Sequence, residues 1–330
     1  MGFPSGRIAM GHLDADILLA QPRGFCAGVE RAIQIVQVAL EQFGAPIYVR
    51  HQIIHNARVI NDLSEKGVVF IDELDEVPDG STLIFSAHGV SSEVKYLASL
   101  RNLRIFDATC PLVNKVHVEV QKLNASGIPI LMIGHAGHPE VIGTMGQVSQ
   151  QIYLIENLMD VEHLTLDVQK PVAYVTQTTL SIDETKEIIA ALKSKYPLLI
   201  EPKKQDICYA TQNRQDAVKE LVPYVDVMLV VGSANSSNSN RLKELSAKLG
   251  VDSYLVDDPK QVQPEWFLGK KRVGVTAGAS APESLTQEII LVVQQLGHKT
   301  IKTLPGIVES TIFSMPKGLY KKSLQNQDLA

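Results

Sequence analysis

Ile105-Phe106-Asp107-Ala108-Thr109-Cys110-Pro111-Leu112-Val113-Asn114-Lys115 joins three features: a short apolar run, a polar turn ending in a lone cysteine, and a proline suited to the first turn of a helix. The chain has only three cysteines in 330 residues, and the other two occupy the same kind of slot. Cys26 opens CAGVERAIQIVQVAL, Cys110 opens CPLVNKVHVEVQKL and Cys208 opens CYATQNRQDAVKEL. Each cysteine begins a helix-like pattern.

Working outward, short apolar and β-branched runs recur at Ile17–Ala20, Thr82–Phe85, Ile128–Ile133, Val172–Val175, Val225–Val231 and Arg272–Val275. Small polar or glycine residues follow each run, and then a helical pattern. Ser181 with Glu184 reads as a capping box before Ile188 and Ile189. Pro282, like Pro111, suits a first helical turn. Strands alternating with helices predict an α/β chain with parallel sheets and right-handed crossovers. Continuously apolar strands predict sheets covered on both faces.

Ligands of such sheets sit beyond the carboxyl ends of the strands. The turns at those ends repeat. From Cys26 the next polar turns are His55 and His88, 29 and 62 residues on. From Cys110 they are His138 and Thr178, at 28 and 68, and from Cys208 they are Ser236 and Ser280, at 28 and 72. Any α/β chain gives a spacing of roughly 30 residues, but nothing generic puts every cysteine in the same slot. The spacing predicts three pseudo-threefold-related α/β units of about 90 residues.

Composition narrows the function. Hydrophobic residues make up 45% of the chain, enough for more than one domain. A net charge of -5 and a pI near 6.0 argue against nucleic acid as a partner. The longest apolar runs, such as Val227–Val231, are too short to span a bilayer, and the N-terminus lacks the apolar centre of a signal peptide. A soluble, cytoplasmic protein is expected. An odd number of cysteines in such a chain argues against a disulfide framework.

Three thiols at helix N-termini are candidate metal ligands, since a helix N-terminus is expected to favour the thiolate. The cysteines are 84 and 98 residues apart, with no local Cys-x-x-Cys pair of a structural zinc site and no ferredoxin-like cluster of cysteines. A 4Fe–4S cubane on Cys26, Cys110 and Cys208 fits better. It would leave one iron without a protein ligand, which is the mark of a catalytic metal.

The remaining turns carry His55, His88, His138, Thr178, Ser236, Ser237, Asn238 and Ser280. These are donors with almost no carboxylate among them, and they suit the phosphates of a diphosphate ester. His51 and His135 stay ambiguous, and His117 reads as a surface histidine. Glu140 has two readings. One is a favourable acid in a first helical turn; the other is a proton donor for removal of a hydroxyl as water.

Together, PRGFCAGVERA, YVRHQIIHN, IFSAHGVS, FDATCPLVNKVH, IGHAGHPEVIGTMGQ, TQTTLS, DICYATQNRQ, VVGSANSSNSNRL and GVTAGASAPE resemble the 4-hydroxy-3-methylbut-2-enyl diphosphate reductase family. These are LytB-type iron–sulfur reductases of the last step in the methylerythritol phosphate route to isoprenoids. The resemblance covers roughly residues 15–310. It implies a trefoil of three α/β domains around a central cluster cavity, namely 28–110, 111–204 and a discontinuous third of 15–27 plus 205–310. An N-terminal extension (1–14) and a C-terminal tail (311–330) stand outside the pattern.

The resemblance also implies roles. Cys26, Cys110 and Cys208 would hold the 4Fe–4S cluster. His55, His88, His138, Thr178, Ser236, Ser237, Asn238 and Ser280 would bind substrate. Glu140 would relay protons with Thr178 and His138. A reduced ferredoxin or flavodoxin would donate electrons, as the resemblance implies; separately, no Gly-x-Gly-x-x-Gly follows a strand, so no built-in nicotinamide site is expected. The alternative is a non-redox iron–sulfur dehydratase acting on a phosphorylated hydroxy substrate.

Overall fold

A computed structural model describes residues 16–320. The extension at 1–14 and residues 321–330 of the tail lie outside the described residues. In chain order, β1 (Ile17–Leu19) is followed by α1 (Ala27–Phe43), β2 (Ile47–Arg50), α2 (Ala57–Glu65), β3 (Val68–Ile71), β4 (Thr82–Phe85), α3 (Ser92–Ser99) and β5 (Arg104–Asp107). Next come α4 (Pro111–Ala125), β6 (Ile130–Ile133), α5 (Pro139–Met145), β7 (Ile152–Ile155), α6 (Leu158–His163), β8 (Val172–Thr176), α7 (Ile182–Lys195) and β9 (Leu199–Ile200). The chain continues through α8 (Tyr209–Leu221), β10 (Val227–Val231), α9 (Ser237–Lys248), β11 (Asp252–Val256), β12 (Val273–Ala277), α10 (Glu283–Gln295) and β13 (Ile301–Thr303).

The strands form three all-parallel sheets, as the alternation of strand and helix predicts. Their orders are β3-β2-β4-β5, β7-β6-β8-β9 and β11-β10-β12-β1-β13. The sheets repeat one topology: the first strand of the lobe is central, flanked by the second and third, with a fourth beyond the third. In the last sheet that fourth place is taken by β1 from the start of the described chain. A cysteine follows this fourth strand every time, which is the physical content of the period read in the sequence.

Side chains alternate between two cores on each sheet, as strands covered on both faces require. In β10, Val227, Leu229 and Val231 enter one cluster while Met228 and Val230 enter another. Leu131 and Ile133 of β6 face one core, and Ile130 and Met132 the other. In β4, Ile84 opposes Leu83 and Phe85 in the same way.

The chain divides into two compact units. Residues 16–24 and 213–309 form one, with the five-stranded sheet; residues 25–212 and 310–320 form the other, with both four-stranded sheets. Within the second unit the two lobes are joined where Gln147 Nε2 donates to Val90 O at 2.8 Å and Ser92 N donates to Gly146 O at 2.9 Å. Among the described residues no helix is long and apolar enough to cross a membrane.

Helix starts follow local chemistry. Ser181 caps α7 through Glu184 N, and Pro111 occupies the first turn of α4. Pro282 differs by one position: it is the N-cap of α10, not a first-turn residue. Its ring still fixes the backbone just before the helix.

Candidate active site

The three cysteines, three histidines and the Glu140–Thr178 pair all belong to the second unit. Cys26 and Cys110 are the N-cap residues of α1 and α4, and Cys208 immediately precedes α8. Gly28 shows how closely α1 approaches Cys110. A Cβ there would lie 2.7 Å from the Cys110 sulfur and 3.9 Å from the Cys26 sulfur, so only glycine leaves the sulfurs their space.

The Cys110 and Cys208 thiols do not behave as their helix positions predict. Burial, with charge on Cys26 and Cys208, pushes the Cys110 thiol up to about 12, although the Leu112 and Val113 N–H groups pull it down. Burial and Cys26 push Cys208 up to about 11, against the Thr211 hydroxyl and N–H. Desolvation and mutual repulsion thus outweigh the helix termini. The same repulsion shows that the three thiols share one electrostatic neighbourhood, in which a cationic guest would favour the thiolates. Among the described residues no group of three or more His, Cys, Asp or Glu is arranged to hold a metal ion. A cubane distributes its ligands over separate irons and needs no such common point. The three cysteines are free and half-buried, and Gly28 spares the Cys26 and Cys110 sulfurs the space a Cβ would take, which fits it.

Three post-strand histidines, distant in sequence, converge. The His55 and His88 rings stack with centroids 4.1 Å apart, and His138 meets them edge-on at 5.3 and 5.8 Å. Burial first, then the neighbouring imidazoles, hold all three neutral: His55 near 4, His138 near 3 and His88 well below its ordinary value. His138 also caps α5, its Nδ1 accepting from Glu140 N at 3.1 Å. In the neutral ring this leaves Nε2–H as a donor.

Glu140, one residue into α5, is buried at 3% exposure. Thr178 N donates to its Oε1 at 2.6 Å, and the Thr178 hydroxyl to its Oε2 at 2.9 Å. Burial raises its pKa to about 7, Thr178 opposes the shift and the Asp206 charge adds to it. A carboxyl poised near neutrality can hold or release a proton at working pH. Cys208 N donates to Thr178 O at 3.0 Å, which links this pair to the third cysteine.

The other unit carries the hydroxyl and amide set. Ser236 caps α9, and its Oγ lies 3.2 Å from Ser280 Oγ and accepts from Ser239 Oγ at 3.0 Å. Ser237 is the first residue of α9, and Asn238 Oδ1 accepts from Ala279 N at 2.9 Å. The turns after β10 and β12 are therefore one connected polar patch.

Other histidines sort differently. His51 lies 3.1 Å from the Asp72 carboxylate, and His135 N donates to Gln177 Oε1 at 3.1 Å. His117 is not a surface residue. It is 2% exposed, and a Cβ on Gly89 would lie 2.6 Å from its Cε1. The α4 face that carries it turns inward, so helical position alone misjudged its burial. Gly28 and the cations Arg31 and Lys115 carried no motif of their own. The available signal was that both cations stand five residues after a cysteine.

Comparison with known proteins follows the same pattern. The family model described as "LytB protein" matches residues 17–294. A 4-hydroxy-3-methylbut-2-enyl diphosphate reductase of Ralstonia nicotianae is 62% identical over 306 residues, 93% of this chain and 94% of its own. The solved E-1-hydroxy-2-methyl-but-2-enyl-4-diphosphate reductase of Plasmodium falciparum superposes with a TM-score of 0.90 at 38% identity, covering 92% of this chain and 96% of that one. A second solved structure, (E)-4-hydroxy-3-methyl-but-2-enyl diphosphate reductase, described as the terminal enzyme of the non-mevalonate pathway, gives 0.62 at 34% identity, with coverage of 85% and 99%.

Proposed function

The chain belongs to the LytB protein family, and from that premise we propose that it reductively dehydroxylates (E)-4-hydroxy-3-methylbut-2-enyl diphosphate to isopentenyl and dimethylallyl diphosphate. The reaction consumes two electrons and two protons and releases the hydroxyl as water. When bound, a 4Fe–4S cluster on Cys26, Cys110 and Cys208 supplies single electrons and an iron with no protein ligand.

The chain's own residues then have separate tasks. His55, His88 and His138 receive the diphosphate, whose charge favours their protonation and strengthens each contact. Ser236, Ser237, Asn238 and Ser280 are donors of the same kind, and the family resemblance gives them to the phosphates too. Glu140 holds a proton at a carboxyl oxygen and delivers it as the C–O bond breaks. Thr178 fixes the carboxyl's orientation through two hydrogen bonds. A reduced ferredoxin or flavodoxin in the cytoplasm supplies the electrons.

The observation that carries the reading is the cluster of three neutral histidines, one of which, His138, stands two residues before a buried carboxyl poised near neutrality, in the unit that holds all three thiols. The test is anaerobic turnover with and without a one-electron reductant. Strict dependence on reductant supports reduction; equal turnover without it would assign the dehydratase chemistry instead.

A further inference from the structure

Each helix that starts at a cysteine carries a cation in its second turn, and that cation reaches main-chain carbonyls just upstream of a different cysteine. Arg31, five residues after Cys26, donates from Nη1 to Ala108 O at 3.3 Å and to Thr109 O at 3.1 Å, immediately before Cys110. Lys115, five residues after Cys110, donates from Nζ to Lys204 O at 2.7 Å, Gln205 O at 3.0 Å and Asp206 Oδ1 at 3.0 Å, two to four residues before Cys208. Arg214, six residues after Cys208, donates from Nε and Nη2 to Gly24 O at 3.0 and 2.7 Å, two residues before Cys26. The first two contacts lie within the unit of residues 25–212, and the third lies within the other unit.

We propose that Arg31 and Lys115 are positioning residues that set the Cys26–Cys110 and Cys110–Cys208 sulfur separations before any cluster is present. Cysteines 84 and 98 residues apart are carried by different lobes, and chain connectivity alone does not fix their spacing. Something must hold the turns in place. A cation donating to two or three carbonyls at once makes charge-assisted bonds that tie the next turn to the helix behind the previous sulfur. Arg31 meets residues 107–109 before Cys110 and also donates from Nε to Ser314 O at 2.7 Å, while Lys115 meets 204–206 in the turn before Cys208.

This deepens the cluster reading and rests on it for its purpose, yet its test needs no cluster. The full-length chain, stripped of iron under reducing conditions, is treated with dibromobimane, which fluoresces only when both arms have reacted with neighbouring thiols. Cys208→Ser isolates the Cys26–Cys110 pair, and Cys26→Ser isolates Cys110–Cys208. Lys115→Met is expected to slow cross-linking of Cys110–Cys208 roughly tenfold and leave Cys26–Cys110 unchanged, while Arg31→Met does the reverse. Lys115→Arg, which keeps a charged donor, restores the parent rate. If Lys115→Met loses its cooperative melting, Lys115→Gln reads the same pair. Unchanged rates, or equal slowing of both pairs by either substitution, overturns the proposal. Iron content of the unsubstituted chain is measured separately, so a failed clamp and a failed cluster reading give different results.

Discussion

The Glu140 carboxyl accepts two hydrogen bonds from one residue, Thr178: from its N–H at 2.6 Å and from its hydroxyl at 2.9 Å. Such a pairing fixes both carboxyl oxygens. Burial nevertheless keeps the pKa near 7, so the acid is largely protonated below that pH and loses its proton above it. An anionic diphosphate nearby shifts the value further upward. Turnover is expected to fall along an alkaline limb at or above about 7. Glu140→Gln removes that limb and lowers kcat by about 10²–10⁴-fold with cluster content retained. Normal turnover of Glu140→Gln excludes the proton-delivery role.

Thr178→Val separates orientation from acidity. The hydroxyl stabilises the charged carboxylate, so losing it raises the Glu140 pKa and moves the alkaline limb to higher pH. Rate falls by roughly tenfold, the value of one charge-assisted hydrogen bond. A limb that moves downward contradicts the assignment.

The histidine trio makes anion binding proton-linked. All three rings are held neutral by burial, and an arriving diphosphate raises their pKa values. Binding therefore takes up protons, and affinity rises as pH falls from about 8 toward about 6. Calorimetry of inorganic diphosphate in buffers of different ionisation enthalpy measures the uptake. Identical heats in every buffer would refute it.

Gly28→Ala offers a case where fold and site respond in opposite directions. Alanine favours a helix over glycine by about 1 kcal/mol, so α1 gains stability in isolation. The new methyl, however, would stand 2.7 Å from the Cys110 sulfur. Iron content after anaerobic reconstitution is expected to drop well below that of the parent, with cooperative melting preserved. Full iron loading shows that the sulfur can move aside at no cost.

In the unit of residues 16–24 and 213–309, Arg214 is fully buried and forms a two-oxygen pair with Glu309 at 3.1 and 3.2 Å. Removing one partner strands a buried charge. Glu309→Ala should destabilise the chain by about 3 kcal/mol, at the lower end for buried pairs because Gly24 O still accepts from Arg214. Chemical denaturation checks this, and a change near zero contradicts it.

The fold and the site were legible to different depths. Central strands such as β10 and β6 have continuously apolar runs, since both faces are covered, and these marked themselves. Edge strands such as β7 and β13 alternate or are half-exposed and did not stand out. The position of the cysteines was readable because one topology is used three times. The convergence of His55, His88 and His138 was readable only as a repeat of polar turns; the edge-on approach of His138 to the His55–His88 stack crosses between the two lobes of one unit, which also meet at Gln147. The direction of the Cys110 and Cys208 thiol pKa values was misjudged from sequence, because a helix terminus is local whereas burial and thiolate repulsion are tertiary. His117 failed for the same reason: nothing local says which face of α4 turns inward.

Mössbauer spectroscopy of isotope-enriched chain, purified anaerobically and measured with and without the allylic diphosphate, addresses the central claim most directly. The account predicts about four irons per chain, one of which changes its spectrum when substrate is added. A colourless, iron-free chain with full activity, or a cluster whose irons are all indifferent to substrate, would contradict it.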